Sequence, residues 1–259
     1  MPFAGQMQIL SLLCLSLLFF GSYRSFKPWL SRFDLFFCLT MANLAGVVFA
    51  GERSAWLGAA AGAVVLSALK SGKTLAKCLL ALSIISALGW FCVPLVHTRI
   101  ESLLSGQADV STRVRLTLWR ESIKCFASSP YVGVGFRKFP HFDIPEAIVP
   151  GRSRDLNHAH SNYLQLLATS GGLGLAAYLI LWLAALAYAF GLFRRSLSTL
   201  DAEATGLAAG VLSGVVALMV AGIFEYNFGT AQVRLLQWFV LGMLSIPVLR
   251  ADVPPEQAP

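Results

Sequence analysis

The chain has 259 residues and is strongly apolar, since 56% of its residues are hydrophobic and only 13% are charged. Soluble domains carry roughly 25% charged residues, so this composition excludes an ordinary soluble protein and predicts an integral membrane protein. The net charge is +7, but membrane-length apolar runs separate the basic residues, which argues against nucleic-acid binding.

Apolar runs along the chain predict an all-α fold, a polytopic bundle of about seven transmembrane helices, because a span needs about 20 residues. The runs lie at 7–21, 35–50, 56–69, 75–96, 172–193, 205–224 and 235–249. They divide the chain into membrane helices at 1–96 (about four spans), a long polar segment at 97–171, membrane helices at 172–249 (about three spans) and a proline-rich tail at 250–259, which we expect to be disordered.

Lysine and arginine concentrate in the odd-numbered short connections between these runs. Basic short connections stay in the cytoplasm, so the N-terminus is predicted outside and the C-terminus inside. This orientation makes 97–171 a large outer loop. Its own basic residues do not contradict the assignment, because the charge rule applies to short loops.

The outer loop is predicted to be partly helical. Ser111 or Thr112 can cap a helix that runs to about Ala127, and Ser129-Pro130 would end it. Apolar residues recur at helical spacing on this helix and should pack on the membrane helices or lie at the interface: Leu116, Trp119, Ile123 and Phe126.

Arginines supply one group of candidate functional residues. Arg113, Arg115 and Arg120 lie on the outer helix, and Arg53 lies alone between two apolar runs on the outer side. A guanidinium offers a planar fork of donors that matches phosphate oxygens. The alternatives are a solvated face or lipid-headgroup contacts for the three helical arginines, and snorkelling to the interface for Arg53.

His158 and His160 form an H-x-H pair just before an apolar run that a glycine cluster interrupts. A metal site would need a third ligand from Asp143, Glu146 or Asp155, and the spacing fits no known ligand pattern, so we predict no metal. At a helix N-terminus, the positive potential favours a neutral His160 imidazole, which can accept a proton from a hydroxyl.

The histidine segment resembles the periplasmic histidine motif of the O-antigen ligase family: His160-Ser161, nine residues, Gly171, two residues and Gly174. Three further segments agree, namely Arg115–Trp119, the Pro-x-x-Gly-x-Gly-Phe turn at 130–136, and 52–57, where Glu52 stands in a place in which serine is commoner. The similarity extends over about residues 40–245.

The resemblance implies a multi-pass glycosyltransferase of the bacterial inner membrane with a periplasmic active face and no cofactor. The donor would be a glycan on undecaprenyl pyrophosphate, and the acceptor a hydroxyl of lipid A-core, of another lipid-linked glycan or of a protein. Arg53 and Arg115 would hold the pyrophosphate, and His160 would act as base or orient the acceptor. Further expected substrate-binding residues are Arg113, Arg120, His158 and Asn162.

The resemblance leaves alternatives open. Lipid A-core ligation is our first expectation, and an O-antigen polymerase or a protein O-oligosaccharyltransferase of the same family is the second. Family members usually have about a dozen spans, so the chain is expected to be a C-terminal part or a shortened relative. A non-catalytic transport component or degenerate fragment is a further alternative, although arginine and histidine clustered at one membrane face favour an enzyme.

Overall fold

A computed structural model describes residues 2–21, 25–27, 30–92, 110–135, 138–139, 142–143, 155–156 and 158–245. Within these ranges the chain forms eight α-helices: α1 Pro2–Phe20, α2 Arg32–Phe49, α3 Arg53–Lys70, α4 Gly72–Cys92, α5 Val110–Ser128, α6 Asn162–Ser198, α7 Ala202–Phe224 and α8 Ala231–Gly242. Two short antiparallel strand pairs join β1 Ser25–Lys27 to β2 Leu30–Ser31 and β3 Phe142–Asp143 to β4 Asp155–Leu156. The helical fold class is confirmed, and the predicted tail at 250–259 lies outside the described residues.

Five of the described helices are long and apolar enough to cross a membrane, namely α1, α2, α4, α6 and α7. The other two predicted spans form α3 and α8. Helix α3 has 18 residues with Arg53 and Lys70 at its two ends, and α8 has only 12 residues. At 1.5 Å per residue, α8 is about 18 Å long, well short of the roughly 30 Å hydrocarbon core. By length and composition, five of the described helices are therefore candidate spans, where the apolar runs predict seven.

The chain divides into two compact units. Unit 1 comprises Met1–Ala76, Ile180–Ala221 and Asn227–Pro259, and unit 2 comprises Lys77–Leu179 and Gly222–Tyr226. In unit 1, glycines of α3 bring helix backbones into close contact. A methyl group on Gly58 would lie 2.5 Å from the carbonyl oxygen of Ala217, and one on Gly62 would lie 2.8 Å from that of Ser213. Small residues allow this approach between helices in lipid.

Unit 2 is organised around a break in α6. Gly171 has φ 64° and ψ −167°, which interrupts the helical hydrogen bonds. The turn at 130–135 supplies the missing partners on both sides of the break: Val134 and Gly135 N–H groups donate to the carbonyls of Ala168 and Thr169 at 2.9 and 3.0 Å, and Gly172 and Leu173 N–H groups donate to those of Pro130 and Tyr131 at 2.7 and 3.2 Å. Buried backbone groups need hydrogen-bond partners, so the inserted turn offsets the cost of breaking the helix.

Two glycines make this insertion possible. Gly133 (φ 67°) and Gly171 (φ 64°) both adopt the left-handed conformation that favours glycine. A Cβ on Gly133 would lie 2.4 Å from the carbonyl carbon of Thr169, and a Cβ on Gly171 would lie 2.4 Å from that of Tyr131. These neighbours are backbone atoms that cannot rotate away. The glycines of two separate sequence motifs therefore form one interlocked contact.

Gly171→Ala should destabilise the protein by about 2–5 kcal/mol, which combines the left-handed conformation of an L-residue with an overpacked backbone contact. Gly191→Ala is the matched control, because Gly191 lies in the same helix with nothing within 4 Å of its added Cβ. That control should be neutral or stabilising, since alanine is the better helix former. Thermal unfolding of the two purified variants measures the difference, and equal melting temperatures would contradict the interlock.

Candidate functional site

The loop that precedes α6 is held by hydrogen bonds to backbone N–H groups. Ser161 is buried, and its Oγ accepts the Leu164 N–H at 3.4 Å, so it caps the helix. The Gln165 side chain accepts the Ala159 N–H at 2.7 Å through Oε1. His158 Nδ1 accepts the N–H of His160 at 3.3 Å. The backbone at His160 is therefore fixed from both sides.

His160 itself has a strained backbone. Its φ is +48°, a left-handed value that non-glycine residues rarely adopt. This conformation costs about 1–2 kcal/mol and persists only where surrounding contacts impose it. The loop and cap contacts thus hold the His160 imidazole in one direction at the start of α6.

A carboxylate from a distant part of the chain lies beside the His160 imidazole. Glu225 follows α7 directly, and its Oε2 lies 3.5 Å from His160 Nδ1 and 3.9 Å from Arg115 Nη2. Its Oε1 accepts the Tyr226 N–H at 3.3 Å. The side chains of His160, Arg115 and Glu225 are 24%, 24% and 21% exposed. They are partly desolvated yet still reachable by a substrate.

The electrostatics of this cluster favour an ionised Glu225. Burial raises the pKa of the Glu225 carboxyl, but the hydrogen bond and charge of His160, together with the charge of Arg115, outweigh burial and hold the pKa below its ordinary value. An ionised carboxylate only accepts hydrogen bonds, so when His160 carries a single ring proton, Glu225 holds that proton on Nδ1. Nε2 then keeps its lone pair and can take a proton from a hydroxyl.

His158 supports this arrangement from the other side. Its ring lies 4.1 Å from that of His160 and 6.0 Å from that of Tyr226, measured between centroids. Burial and the neighbouring His160 charge lower the pKa of His158, although Glu225 opposes them. A neutral His158 can accept the His160 N–H, so its contacts are those of a support for the loop.

In the described parts of the chain, no group of three or more histidine, cysteine, aspartate or glutamate side chains is arranged to hold a metal ion. Glu146, one of the third ligands considered for an H-x-H metal site, lies outside the described residues.

The Arg115–Trp119 segment faces the end of α7 along one side of α5. Arg115 pairs with Glu225, and one turn later the Trp119 ring packs 6.2 Å from that of Phe224. Residues four apart lie on the same side of a helix, which explains why Arg115 and Trp119 contact the adjacent residues Glu225 and Phe224. The Trp119 contact therefore helps to hold α5 in the position that places Arg115 beside Glu225.

The other predicted site residues lie elsewhere. Arg113 and Arg120 are exposed on α5. Asn162 is 1% exposed, and its Nδ2 donates to the Tyr178 hydroxyl at 3.2 Å. It also packs so closely on Gly222 that a Cβ there would lie 2.4 Å from Nδ2. Asn162 thus occupies an interior position within unit 2, where its contacts are structural.

Arg53 belongs to unit 1 and is the first residue of α3. A hydrogen bond spans the connection between α2 and α3: the Trp56 Nε1–H donates to the Val47 carbonyl at 2.9 Å. This bond ties the first turn of α3 to the last part of α2. The role of Arg53 in donor binding stays a prediction.

Glu225 was not among the residues predicted from sequence. The signal that could have found it is its position: it directly follows the sixth apolar run, at the end that the charge-derived orientation places on the same side as His160. An ionisable residue at the edge of a span is costly and therefore suggests a function. Distance along the chain hid the pairing, because 65 positions separate the two residues.

Comparison with known proteins yields one family. The family model described as O-antigen ligase matches residues 36–179, which is more than half of the chain. The matched segment contains Arg53, Arg115 and His160, whereas Glu225 lies beyond its end. No curated protein matches the chain significantly.

Proposed function

This chain belongs to the O-antigen ligase family, and from that premise we propose that it moves a glycan from undecaprenyl pyrophosphate to a hydroxyl of lipid A-core. The single observation that carries the proposal is the Glu225 carboxylate between the His160 imidazole and the Arg115 guanidinium. This arrangement sets a proton acceptor beside a phosphate-binding group. Family membership supports membrane glycan transfer of the ligase or polymerase type, and the acceptor is our own assignment.

In the proposed reaction, His160 Nε2 takes the proton of the acceptor hydroxyl as its oxygen attacks the anomeric carbon of the donor. The bond from that carbon to the pyrophosphate oxygen breaks, and undecaprenyl pyrophosphate leaves with the electron pair. Glu225 stabilises the imidazolium that forms on His160, while Arg115 stabilises the charge that develops on the leaving group. His160 and Arg115 thus act at opposite ends of one displacement.

Arg115 is suited to this task because its guanidinium is a planar fork of donors that matches phosphate oxygens. Its 3.9 Å ion pair with Glu225 places that fork beside the carboxylate that also contacts His160. Arg53 is proposed as a second pyrophosphate ligand.

We further propose that this chemistry takes place on the periplasmic side of the bacterial inner membrane. His160 precedes α6 and Glu225 follows α7, and these helices are consecutive candidate spans. Consecutive spans run in opposite directions, so the start of the first and the end of the second lie at the same membrane face. With the charge-derived orientation, that face is outside. This assignment includes α3 and α8 among the membrane helices, although neither is itself a candidate span.

Arg115→Lys tests the assignment of Arg115 to the donor pyrophosphate. Lysine keeps the charge but loses the planar fork, so we expect transfer to fall by about ten- to one-hundredfold, the equivalent of one charge-assisted hydrogen bond. The assay is transfer from lipid-linked donor to lipid A-core in membranes that contain the purified enzyme.

Arg194→Lys provides the matched control, since Arg194 is an exposed arginine near the other end of α6. It should transfer at the unaltered rate. Full activity of Arg115→Lys, with Arg194→Lys also active, would mean that Arg115 contributes only its charge or its packing.

A further inference from the structure

Helix α5 presents an exposed surface that the proposed reaction does not use. One face is buried through Val114, Leu118, Ser122 and Cys125. On the opposite face, five exposed residues form a continuous stripe, which we call the outer face of α5: Arg113, Leu116, Arg120, Ile123 and Lys124. Positions three, four and seven apart share one side of a helix, so these residues form one surface.

This surface mixes apolar and basic side chains. Leu116 and Ile123 lie two turns apart and are 51% and 54% exposed. The helical periodicity predicted burial or an interfacial position for both, and the structure leaves them out of the buried face. Basic residues flank them on one side, an arrangement typical of helices that lie in a membrane interface. The apolar pair can enter the acyl boundary while the long basic side chains reach the headgroups.

Two of the three basic residues on this surface can bind an anionic ligand without giving up an ion pair within the described residues. Lys124 pairs with Glu121 at 2.7 Å. Within the described residues, Arg113 and Arg120 have no ion-pair partner. Arg115 and Trp119 occupy a different side of the helix, where they contact Glu225 and Phe224. The outer face is therefore separate from the cluster assigned to the reaction.

The position of α5 within unit 2 favours the bilayer as the neighbour of this surface. The turn that follows α5 is hydrogen-bonded to Gly172 and Leu173, where the second half of α6 begins. That half belongs to a candidate span, and its apolar run begins at residue 172, so the turn after α5 lies beside the start of that run. Tyr131, Val132 and Leu173 at this point are 76%, 65% and 64% exposed, as expected for side chains that contact lipid.

We propose that the outer face of α5 binds the anionic phospholipid headgroups of the bilayer surface. Arg113 and Arg120 provide forked donors for phosphodiester oxygens, and Leu116 and Ile123 are buried at the acyl boundary. The contact keeps Arg115, on the adjoining side of the same helix, near the level at which a lipid-borne pyrophosphate arrives. The lipid contact itself does not depend on glycan transfer.

Photo-crosslinking to lipid tests this proposal. A benzoylphenylalanine at Ala127, an exposed position one turn beyond Ile123 on the outer face, reports on what lies against it. The full chain is placed in nanodiscs of phosphatidylcholine and phosphatidylglycerol, and mass spectrometry identifies the adducts. We expect phosphatidylglycerol adducts in excess of its share of the bilayer. Arg113→Gln and Arg120→Gln should each reduce that excess by about fivefold, the usual electrostatic contribution of one basic residue near an anionic surface.

Lys138→Gln is the matched control, because Lys138 is an exposed basic residue of unit 2 outside α5. It should leave the adduct ratio unchanged, and thermal unfolding should confirm that all variants are folded. Three outcomes would overturn the proposal: no lipid adduct, an adduct ratio equal to the bilayer composition, or preferential crosslinking to a protein or to added lipid A-core. Because no outcome depends on transfer, a failure here is distinguishable from a failure of the proposed function.

Discussion

His160→Gly should reduce glycan transfer by about two to four orders of magnitude, the usual range for the loss of a general base. Glycine is the informative replacement, because His160 has φ +48° and glycine adopts this conformation without strain. The variant should therefore unfold at the same temperature as the parent protein or slightly higher. Donor binding should persist, since the Arg115 guanidinium is retained. Transfer rate, thermal unfolding and binding of lipid-linked donor, measured on one preparation, test the three statements.

His158→Gln separates the base from a metal ligand. Its side-chain oxygen can still accept the His160 N–H, so we expect a much smaller loss than for His160→Gly. A metal held by the H-x-H pair would instead make the two losses equal, and a chelator would abolish transfer until metal is restored. Chelator inhibition that zinc or magnesium reverses would contradict the base assignment, and so would normal transfer by His160→Gly.

Glu225→Gln should lower kcat by about one hundredfold or more with little change in the KM for donor, within the range expected for impairing a general base. Glutamine has the shape of glutamate but carries no charge, so it cannot stabilise the imidazolium that forms on His160. Its amide can also donate to Nδ1, which would favour the tautomer with the proton on Nε2. Glu225 is a positioning residue in this scheme, because it acts through His160 and does not touch the substrate.

Two further variants distinguish positioning from mere packing. Glu225→Asp retains the charge and should recover part of kcat. Glu121→Gln is the matched control, since Glu121 is also a partly buried, ion-paired glutamate, whose partner Lys124 lies outside the site. It should transfer normally. A loss in Glu225→Gln that appeared entirely in KM, or that matched a loss of thermal stability, would contradict the assignment to His160.

Local sequence patterns predicted the helices well but predicted poorly which sides of them are buried. Helix α5 was expected between Ser111 or Thr112 and about Ala127, and it extends over Val110–Ser128. The apolar stripe through Leu116 and Ile123 was expected to pack on the membrane helices or to lie at the interface. Both residues are exposed, which argues against packing and leaves the interface, while Val114 and Leu118 are buried. Periodicity shows that one side of a helix is apolar. It does not show which side meets the rest of the protein when apolar residues are present on two sides.

The sequence by itself determined the membrane character, the helical class and the membership of His160 and Arg115 in recognisable motifs, because these depend on composition and short spacing. Only the tertiary structure decided that Glu225 joins those two residues and that Gly133 fits against Gly171. The physical reason is the same for both: each contact joins segments far apart in the chain. The contact between Gly133 and Gly171 consists of backbone atoms, so no side-chain pattern marks it. A carboxylate from any part of the chain could occupy the place of Glu225, so residue spacing does not reveal this contact either.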